Sequence, residues 1–250
     1  MKQQHEINHK FFDNIDSEIK AYLLGFYIGD GSSYKRIKGN YIEHSIRIGV
    51  SEKDRYIIEL YKKYLIPTFK ITTTTGCKYP TVDKIYDCAN QCRLAVYSKP
   101  IYEALDKLGY TDNKTYREMG LPSIDNKMMI HLIRGYFDAD GTCVNNLIKR
   151  PDRKIGTRAK SVWHIPSYKV QLLEEIQAFM KSNHDVELKI YNTKRCYYLK
   201  SSNLNEMMKM YKLFYDNAEF YLRRKKASYE TIMLTPNELR AIKSCEPCNA

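Results

Sequence analysis

Two stretches of the chain are nearly the same: LLGFYIGDG at residues 23–31 and IRGYFDADG at residues 133–141. Each is mostly apolar, carries small residues four positions apart, and ends in Asp-Gly. Residues at this spacing lie on one face of a helix, where small side chains let two helices approach closely. The pattern predicts two matched helices side by side, whose final acids, Asp30 and Asp140, meet at one metal-binding centre.

The sequence after each stretch repeats one order of elements, which predicts an α+β fold made of two pseudo-symmetric αββαββα units. In the first copy we expect a helix over 19–29, strands over 32–38 and 44–50, a helix over 51–64, strands over 69–75 and 92–98, and a helix over 101–108. In the second we expect a helix over 127–139, strands over 142–148 and 161–165, a helix capped by Ser167, strands over 186–191 and 195–199, and helices over 204–214 and 218–233.

The repeat also divides the chain into segments. The predicted order is an N-terminal extension over 1–16, a first unit over 17–112, a linker over 113–126, a second unit over 127–234 and a C-terminal tail over 235–250.

The charge balance points to a polyanionic partner. The 250 residues include 41 Lys and Arg against 29 Asp and Glu, a net charge of +12. This excess favours nucleic acid before a membrane surface. No apolar run reaches the roughly 18 residues of a membrane-spanning helix, and the start lacks the apolar stretch of a signal peptide.

The cysteines fit a reducing compartment. There are seven, an odd number, and we expect free thiols in an intracellular compartment that contains DNA. Cys245 and Cys248 form a C-x-x-C pair, but the sequence offers no second ligand pair at the spacing of a zinc site.

The two motifs and their following β-β-α-β-β order resemble the single-chain, two-motif LAGLIDADG homing endonucleases. The resemblance runs from about Glu18 to Leu234. The segment DNAEFYLRRK at residues 216–225 looks like the closing segment of the family, which carries a lysine near the active centre, and TDNKT at 111–115 is its counterpart. The first motif departs from the family pattern with Ile28, where the second keeps Asp138. We expect Asp138 to be a structural hydrogen-bonding acid and Arg134, at an otherwise apolar position, to face solvent or DNA.

The resemblance implies a monomeric, site-specific double-strand DNA endonuclease with a long pseudo-palindromic site. The motif helices would pack at the interface of the units, and curved antiparallel sheets would form a DNA-binding saddle. The implied cofactor is Mg²⁺, which favours one or two carboxylates and for which Mn²⁺ would substitute. The implied site consists of Asp30 and Asp140 as catalytic metal ligands, the carbonyl groups of Gly29 and Ala139 as further ligands, and Lys114 and Lys225 as catalytic lysines.

Each assignment has a plainer alternative. An Asp before Gly at a helix end also caps turns, and a lysine in a basic segment is ordinarily solvated. Two other functions use the same fold: an RNA maturase that binds its host intron RNA, and a sequence-specific DNA-binding protein that does not cleave.

DNA would be read by the strands, because alternate side chains share a face and a β-ribbon fits the major groove. The alternative is that these are solvated faces of ordinary α/β units. Long polar loops at 35–41, 76–90 and 149–160 would extend the footprint. The candidate contacts are Ser32, Tyr34, Arg36, Lys38, Arg47, Lys70, Thr72, Thr74, Arg93, Tyr97, Lys149, Arg153, Lys189, Tyr191, Arg195 and Tyr197.

Overall fold

A computed structural model describes residues 6–76, 78–80, 85–111, 119–149, 157–235 and 237–238. The chain forms two compact units, unit 1 (Met1–Ala139) and unit 2 (Asp140–Ala250). Unit 1 thus holds both motif helices up to the residue before Asp140. Within the described ranges, no helix is both long and apolar enough to cross a membrane.

The helices and strands follow the predicted order in both units. Unit 1 contains α1 (Glu18–Asp30), β1 (Gly31–Lys38), β2 (Tyr41–Ser51), a 3-10 turn (Glu52–Asp54), α2 (Arg55–Leu65), β3 (Thr72–Thr74), β4 (Lys78–Pro80), β5 (Ile85–Asp87), β6 (Gln91–Tyr97), α3 (Lys99–Lys107) and α4 (Asn126–Asp140), which ends at the boundary. Unit 2 contains β7 (Thr142–Lys149), β8 (Thr157–Ser167), α5 (Val170–His184), β9 (Lys189–Asn192), β10 (Tyr197–Ser201), α6 (Leu204–Tyr215), α7 (Arg223–Glu230) and a 3-10 turn (Thr231–Met233).

The two main sheets have the same topology. Both are four-stranded, with antiparallel orders β1-β2-β6-β3 and β7-β8-β10-β9. The expected α+β repeat is therefore confirmed. A separate hairpin of β4 and β5 lies inside the segment 76–90, which we expected to be a loop throughout.

Each main sheet buries one face under helices of its own unit. In unit 1, Ile46, Ile48 and Leu94 are fully buried, and α2 and α3 pack on β2 and β6. The segment before α1 adds to this core, since Phe11 and Phe12 are buried edge to face with ring centroids 4.9 Å apart.

Unit 2 has a core of the same design around Trp163. Trp163 and Ile165 on β8 and Leu199 on β10 are fully buried, and α5 and α6 pack against β10. The expected Ser167 cap is wrong in detail: Lys169 occupies the N-cap position of α5, and the Ser167 hydroxyl accepts a hydrogen bond from the Lys169 backbone N–H at 3.1 Å. The expected helix over 218–233 is shorter, because α7 begins only at Arg223.

The two motif helices pack closely through their glycines. A Cβ atom at Gly25 would collide with the carbonyl oxygen of Leu132, and one at Gly135 would collide with that of Tyr22. Gly135 and Leu132 follow Gly25 and Tyr22 by the same number of residues, so the two contacts are equivalent. The two backbones therefore meet with an internal two-fold relation. The predicted close approach of α1 and α4 is confirmed.

A buried polar network crosses this helix pair. Arg134 is only 1% exposed and donates hydrogen bonds to Glu18 Oε1 at 2.7 Å and to His131 Nδ1 at 3.0 Å. The expectation that Arg134 faces solvent or DNA is therefore wrong, because α1 supplies a carboxylate for it inside the interface. Asp138 is fully buried and accepts a hydrogen bond from the Tyr22 hydroxyl at 3.0 Å, as expected of a structural acid.

Candidate nucleic-acid interface and acidic centres

The outer face of the unit 1 sheet collects the polar residues selected from the sequence. Residues directly opposite in an antiparallel pair point to the same side. Ser32 pairs with Arg47, and Gly49 pairs with Arg93, which in turn pairs with Thr72. The strand phases are thus confirmed, while contact with DNA stays a prediction. This face carries Ser32, Tyr34, Arg36, Lys38, Arg47, Thr72, Thr74, Arg93 and Tyr97.

Asp30 opens onto a groove along this polar face. The groove has a volume of about 660 Å³ and is lined by Asp30 together with Arg47, Arg93 and the polar residues around them. The Arg47 guanidinium lies over the Tyr34 ring, 4.1 Å from its centroid, which restricts the side chain. A carboxylate and two guanidinium groups therefore share one exposed surface.

The Asp-Gly ending of α1 has a steric cause. The chain passes from helix to strand without a loop, since α1 ends at Asp30 and β1 begins at Gly31. A Cβ atom at Gly31 would collide with the Tyr27 ring, so only glycine allows this tight passage. The passage leaves Asp30 exposed at the start of the sheet.

The polar face of unit 2 uses a different selection of residues. The register places Thr142 opposite His164, His164 opposite Lys200, and Lys200 opposite Lys189. Tyr191 pairs with Tyr198 on this same face. The sequence reasoning missed His164, although it stands between the apolar Trp163 and Ile165, an alternation that indicates an outward position.

Other predicted contacts of unit 2 do not lie on this polar face. Tyr197 and Lys149 belong to the alternate phase, which includes the buried Leu199 and Cys143. Tyr197 therefore lies on the face opposite to Lys189 and Tyr191, and the residue beside it, Tyr198, takes the outward position. Contact of Tyr197 with DNA stays a prediction. Of the remaining candidates, Arg195 is exposed between β9 and β10, Lys70 is exposed just before β3, and Arg153 lies outside the described residues.

Three basic groups cluster where the unit 2 sheet begins. The His164 ring packs edge to face on Tyr198, with centroids 5.4 Å apart. Burial, together with the positive charges of Lys200 and Lys225, lowers the pKa of His164 below its usual 6.5. Lys200 Nζ lies 5.6 Å from the centroid of the Tyr191 ring.

Lys225 lies beside the second acid along the chain. Its ammonium group donates to the carbonyl oxygen of Gly141, the residue after Asp140. Helix α7 is held to β7 nearby, because the Ser228 hydroxyl donates to the Cys143 carbonyl at 2.6 Å. The other predicted lysine, Lys114, lies outside the described residues.

The donor set suits a hard cation that keeps part of its hydration. The described residues contain no group of three or more His, Cys, Asp or Glu placed to hold a metal. Each motif helix instead ends with one accessible carboxylate, Asp30 or Asp140, after a half-buried Gly29 or Ala139. Mg²⁺ takes one or two protein carboxylates and completes its shell with water and phosphate oxygens, so the residues fit it.

Four of the seven cysteines lie within the described residues. Cys88, Cys92, Cys143 and Cys196 are free thiols. Burial raises the pKa of Cys92 to about 11, which keeps this thiol protonated and unreactive. Cys245 and Cys248 lie outside the described residues.

Comparison with known proteins identifies the fold. The sequence matches no family model and no curated protein. Among solved structures it is similar to the meganuclease I-SmaMI bound to uncleaveable DNA, with a TM-score of 0.62 and 14% identity over 91% of this chain and 97% of that one. The I-SmaMI LAGLIDADG homing endonuclease bound to cleaved DNA gives 0.59 and 16% over 90% and 94%. The LAGLIDADG meganuclease I-AabMI bound to uncleaved DNA gives 0.56 and 13% over 89% and 91%. The chain therefore has the fold of the single-chain LAGLIDADG homing endonucleases.

Proposed function

We propose that the protein is a site-specific, metal-dependent double-strand DNA endonuclease that acts as a monomer. The observation that carries the proposal is the pair of motif helices, packed through Gly25 and Gly135, each ending in a carboxylate where a strand begins. Solved proteins of this fold are bound to DNA, and one of them to cleaved DNA.

Duplex DNA would lie along the polar faces of the two sheets. The unit 1 face combines two guanidinium groups, Arg47 and Arg93, with exposed Tyr34 and Tyr97. An arginine side chain can donate two parallel hydrogen bonds, either to phosphate oxygens or to the edge of guanine in the major groove. The net charge of +12 supports the same polyanionic partner.

The divalent cation would be held by Asp30 and Asp140 with the carbonyl groups of Gly29 and Ala139. When bound, Mg²⁺ or Mn²⁺ lowers the pKa of a water molecule and stabilises charge on phosphate oxygens. I-SmaMI has been solved on uncleaved DNA in the presence of calcium ions, which supports a divalent metal at this kind of site.

The side chains around the acids would position the phosphate and balance its charge. Arg47 shares the groove of Asp30 and would hold a phosphate next to it. Lys225, bound to the Gly141 carbonyl, would stabilise the negative charge that develops on the leaving oxygen. We assign the same role to Lys114 in the first half of the chain. A double mutant of I-SmaMI with two lysines changed to alanine is among the similar structures.

A cleavage assay on a randomised duplex library with Mg²⁺ tests the proposal. We expect specific cutting by the wild type and a loss of about a thousandfold in Asp30→Asn and Asp140→Asn, because a metal centre contributes several kcal/mol to catalysis. Both variants should still bind the selected duplex in Ca²⁺. Asp13→Asn, at an exposed acid that does not line the groove, is the matched control and should cut normally. Undiminished cutting by the Asp30 and Asp140 variants, or tighter binding of intron RNA than of duplex DNA, would contradict the proposal.

A further inference from the structure

The first row of side chains after each acid differs between the two units. In unit 1 the row is Ser32, Arg47 and Ala95, and in unit 2 it is Thr142, His164, Lys200 and Lys189. The rows are equivalent, because Ser32 and Thr142 each follow an Asp-Gly pair and each sheet has the same strand order. Arg47 and His164 therefore occupy matching positions.

The unit 1 row carries a permanent charge. A guanidinium stays protonated at any pH at which the protein is folded. Arg47 is stacked over Tyr34 and lines the groove that contains Asp30. This row presents a fixed, bidentate anion-binding group directly beside the first acid.

The unit 2 row carries a group whose charge depends on its surroundings. On one side of His164, β7 contributes the uncharged Thr142. On the other side, β10 contributes Lys200 and Tyr198, and α7 contributes Lys225. Burial and the two cations favour the neutral imidazole. Near neutral pH this position therefore offers one hydrogen-bond donor, whereas a guanidinium offers two parallel donors. A phosphate close to the ring would have the opposite effect and favour the imidazolium.

We propose that His164 is a positioning residue that makes the two halves of the reaction unequal, with Arg47 holding one DNA strand firmly and His164 holding the other through a single, titratable contact. The inference depends on the proposed endonuclease function. The two strands of one duplex should then be nicked at different rates, and only the half served by unit 2 should respond to protonation of this ring.

Strand-resolved nicking by the full-length protein tests this inference. A duplex selected from the library would carry a different label on each strand, and the ratio of the two nicking rates would be measured from pH 5.5 to 8. The ratio cancels effects of pH that both strands share. We expect the wild-type ratio to change at least about threefold across this range, roughly the effect of one additional charged group bound to a phosphate.

Reciprocal substitutions give the sharpest outcome. His164→Arg should make the ratio independent of pH, and Arg47→His should transfer a pH dependence to the other strand. His184→Gln is the matched control, because burial also lowers the pKa of His184, but this residue is on α5 and outside the polar face. A wild-type ratio that is constant with pH, or a pH dependence that persists in His164→Arg, would overturn the inference.

A binding measurement separates this inference from the endonuclease proposal. Fluorescence anisotropy of a labelled duplex in Ca²⁺ would be recorded at pH 6 and pH 8 for the wild type and His164→Gln. If the protein binds without cutting, the endonuclease proposal fails, and a wild-type increase in affinity at pH 6 at least about threefold larger than that of His164→Gln still supports the His164 contact. Equal increases in the two proteins overturn that contact, and failure to bind duplex DNA overturns both proposals.

Discussion

Helices α1 and α4 share a motif and a packing mode, yet they differ in what they bury. Their backbone contacts are reciprocal, Gly25 against Leu132 and Gly135 against Tyr22. Their polar contacts are not reciprocal: α4 supplies Arg134 and Asp138, and α1 supplies their partners Glu18 and Tyr22.

The difference indicates how a duplicated sequence selects its partner. At the matching positions α1 has Leu24 and Ile28 in place of the arginine and aspartate, and α4 has Met128 and Leu132 in place of the glutamate and tyrosine. Two copies of α4 would therefore set each Arg134 against an apolar Met128. Only the mixed pair gives every buried charge a partner, which favours pairing within one chain.

The glycine contacts offer the most severe test of this helix pair. The double variant Gly25→Ala, Gly135→Ala should lose more than about 4 kcal/mol of unfolding free energy, because both methyl groups meet rigid backbone and not flexible side chains. Urea denaturation followed by circular dichroism measures the loss. Gly109→Ala is the control: its φ of 84° is strained for alanine but nothing lies within 4 Å, so about 1 to 2 kcal/mol is expected. Equal losses for the two proteins would show that the helices separate easily.

The ion pair between the helices comes next in size. Glu18→Ala should cost about 3 kcal/mol, because it leaves the buried Arg134 guanidinium without its carboxylate. The double variant Glu18→Met, Arg134→Met should recover most of this loss. Glu59→Ala removes an exposed ion pair with Arg55 and should cost less than about 1 kcal/mol. A loss for Glu18→Ala no larger than this control would mean that Arg134 finds another partner.

The Tyr22–Asp138 hydrogen bond has a smaller expected effect. Tyr22→Phe should cost about 1.5 kcal/mol, since a hydrogen bond to a buried carboxylate is lost while the ring remains. Tyr41→Phe, at an exposed position on β2, should change the unfolding free energy by no more than a few tenths of a kcal/mol. If the two variants unfold alike, Asp138 does not depend on the tyrosine.

The smallest expected effect is a pH dependence from His131. Burial and the charge of Arg134 lower the pKa of His131 below 6.5, although Glu18 opposes them. The unfolded chain therefore takes up the proton first, and stability should fall as the pH drops below about 6.5. In urea denaturation, His131→Gln should reduce the change of unfolding free energy between pH 5 and pH 7.5 by a few tenths of a kcal/mol, because solvent screens the partly exposed ring. An unchanged slope would exclude His131 as a contributor.

Local pattern in the amino-acid sequence was enough to predict the paired helices and much of one polar face. The motif repeat predicted the helices, and strand alternation predicted which unit 1 residues share a face with Arg47 and Arg93. Both succeeded because helix and strand periodicities act over a few residues and need no knowledge of distant partners. The Asp-Gly pairs at residues 30–31 and 140–141 likewise marked where each motif helix passes into a strand.

The positions of the chain's unusual charges depended instead on tertiary packing. Arg134 looked exposed from its own helix, but a carboxylate on the other motif helix satisfies it inside the interface. The register of β10 against β8 likewise decides which phase of β10 meets the core, and it places Tyr198 and not Tyr197 on the polar face. Partners far apart in the chain determine both outcomes, and a pattern read along one segment carries no record of them.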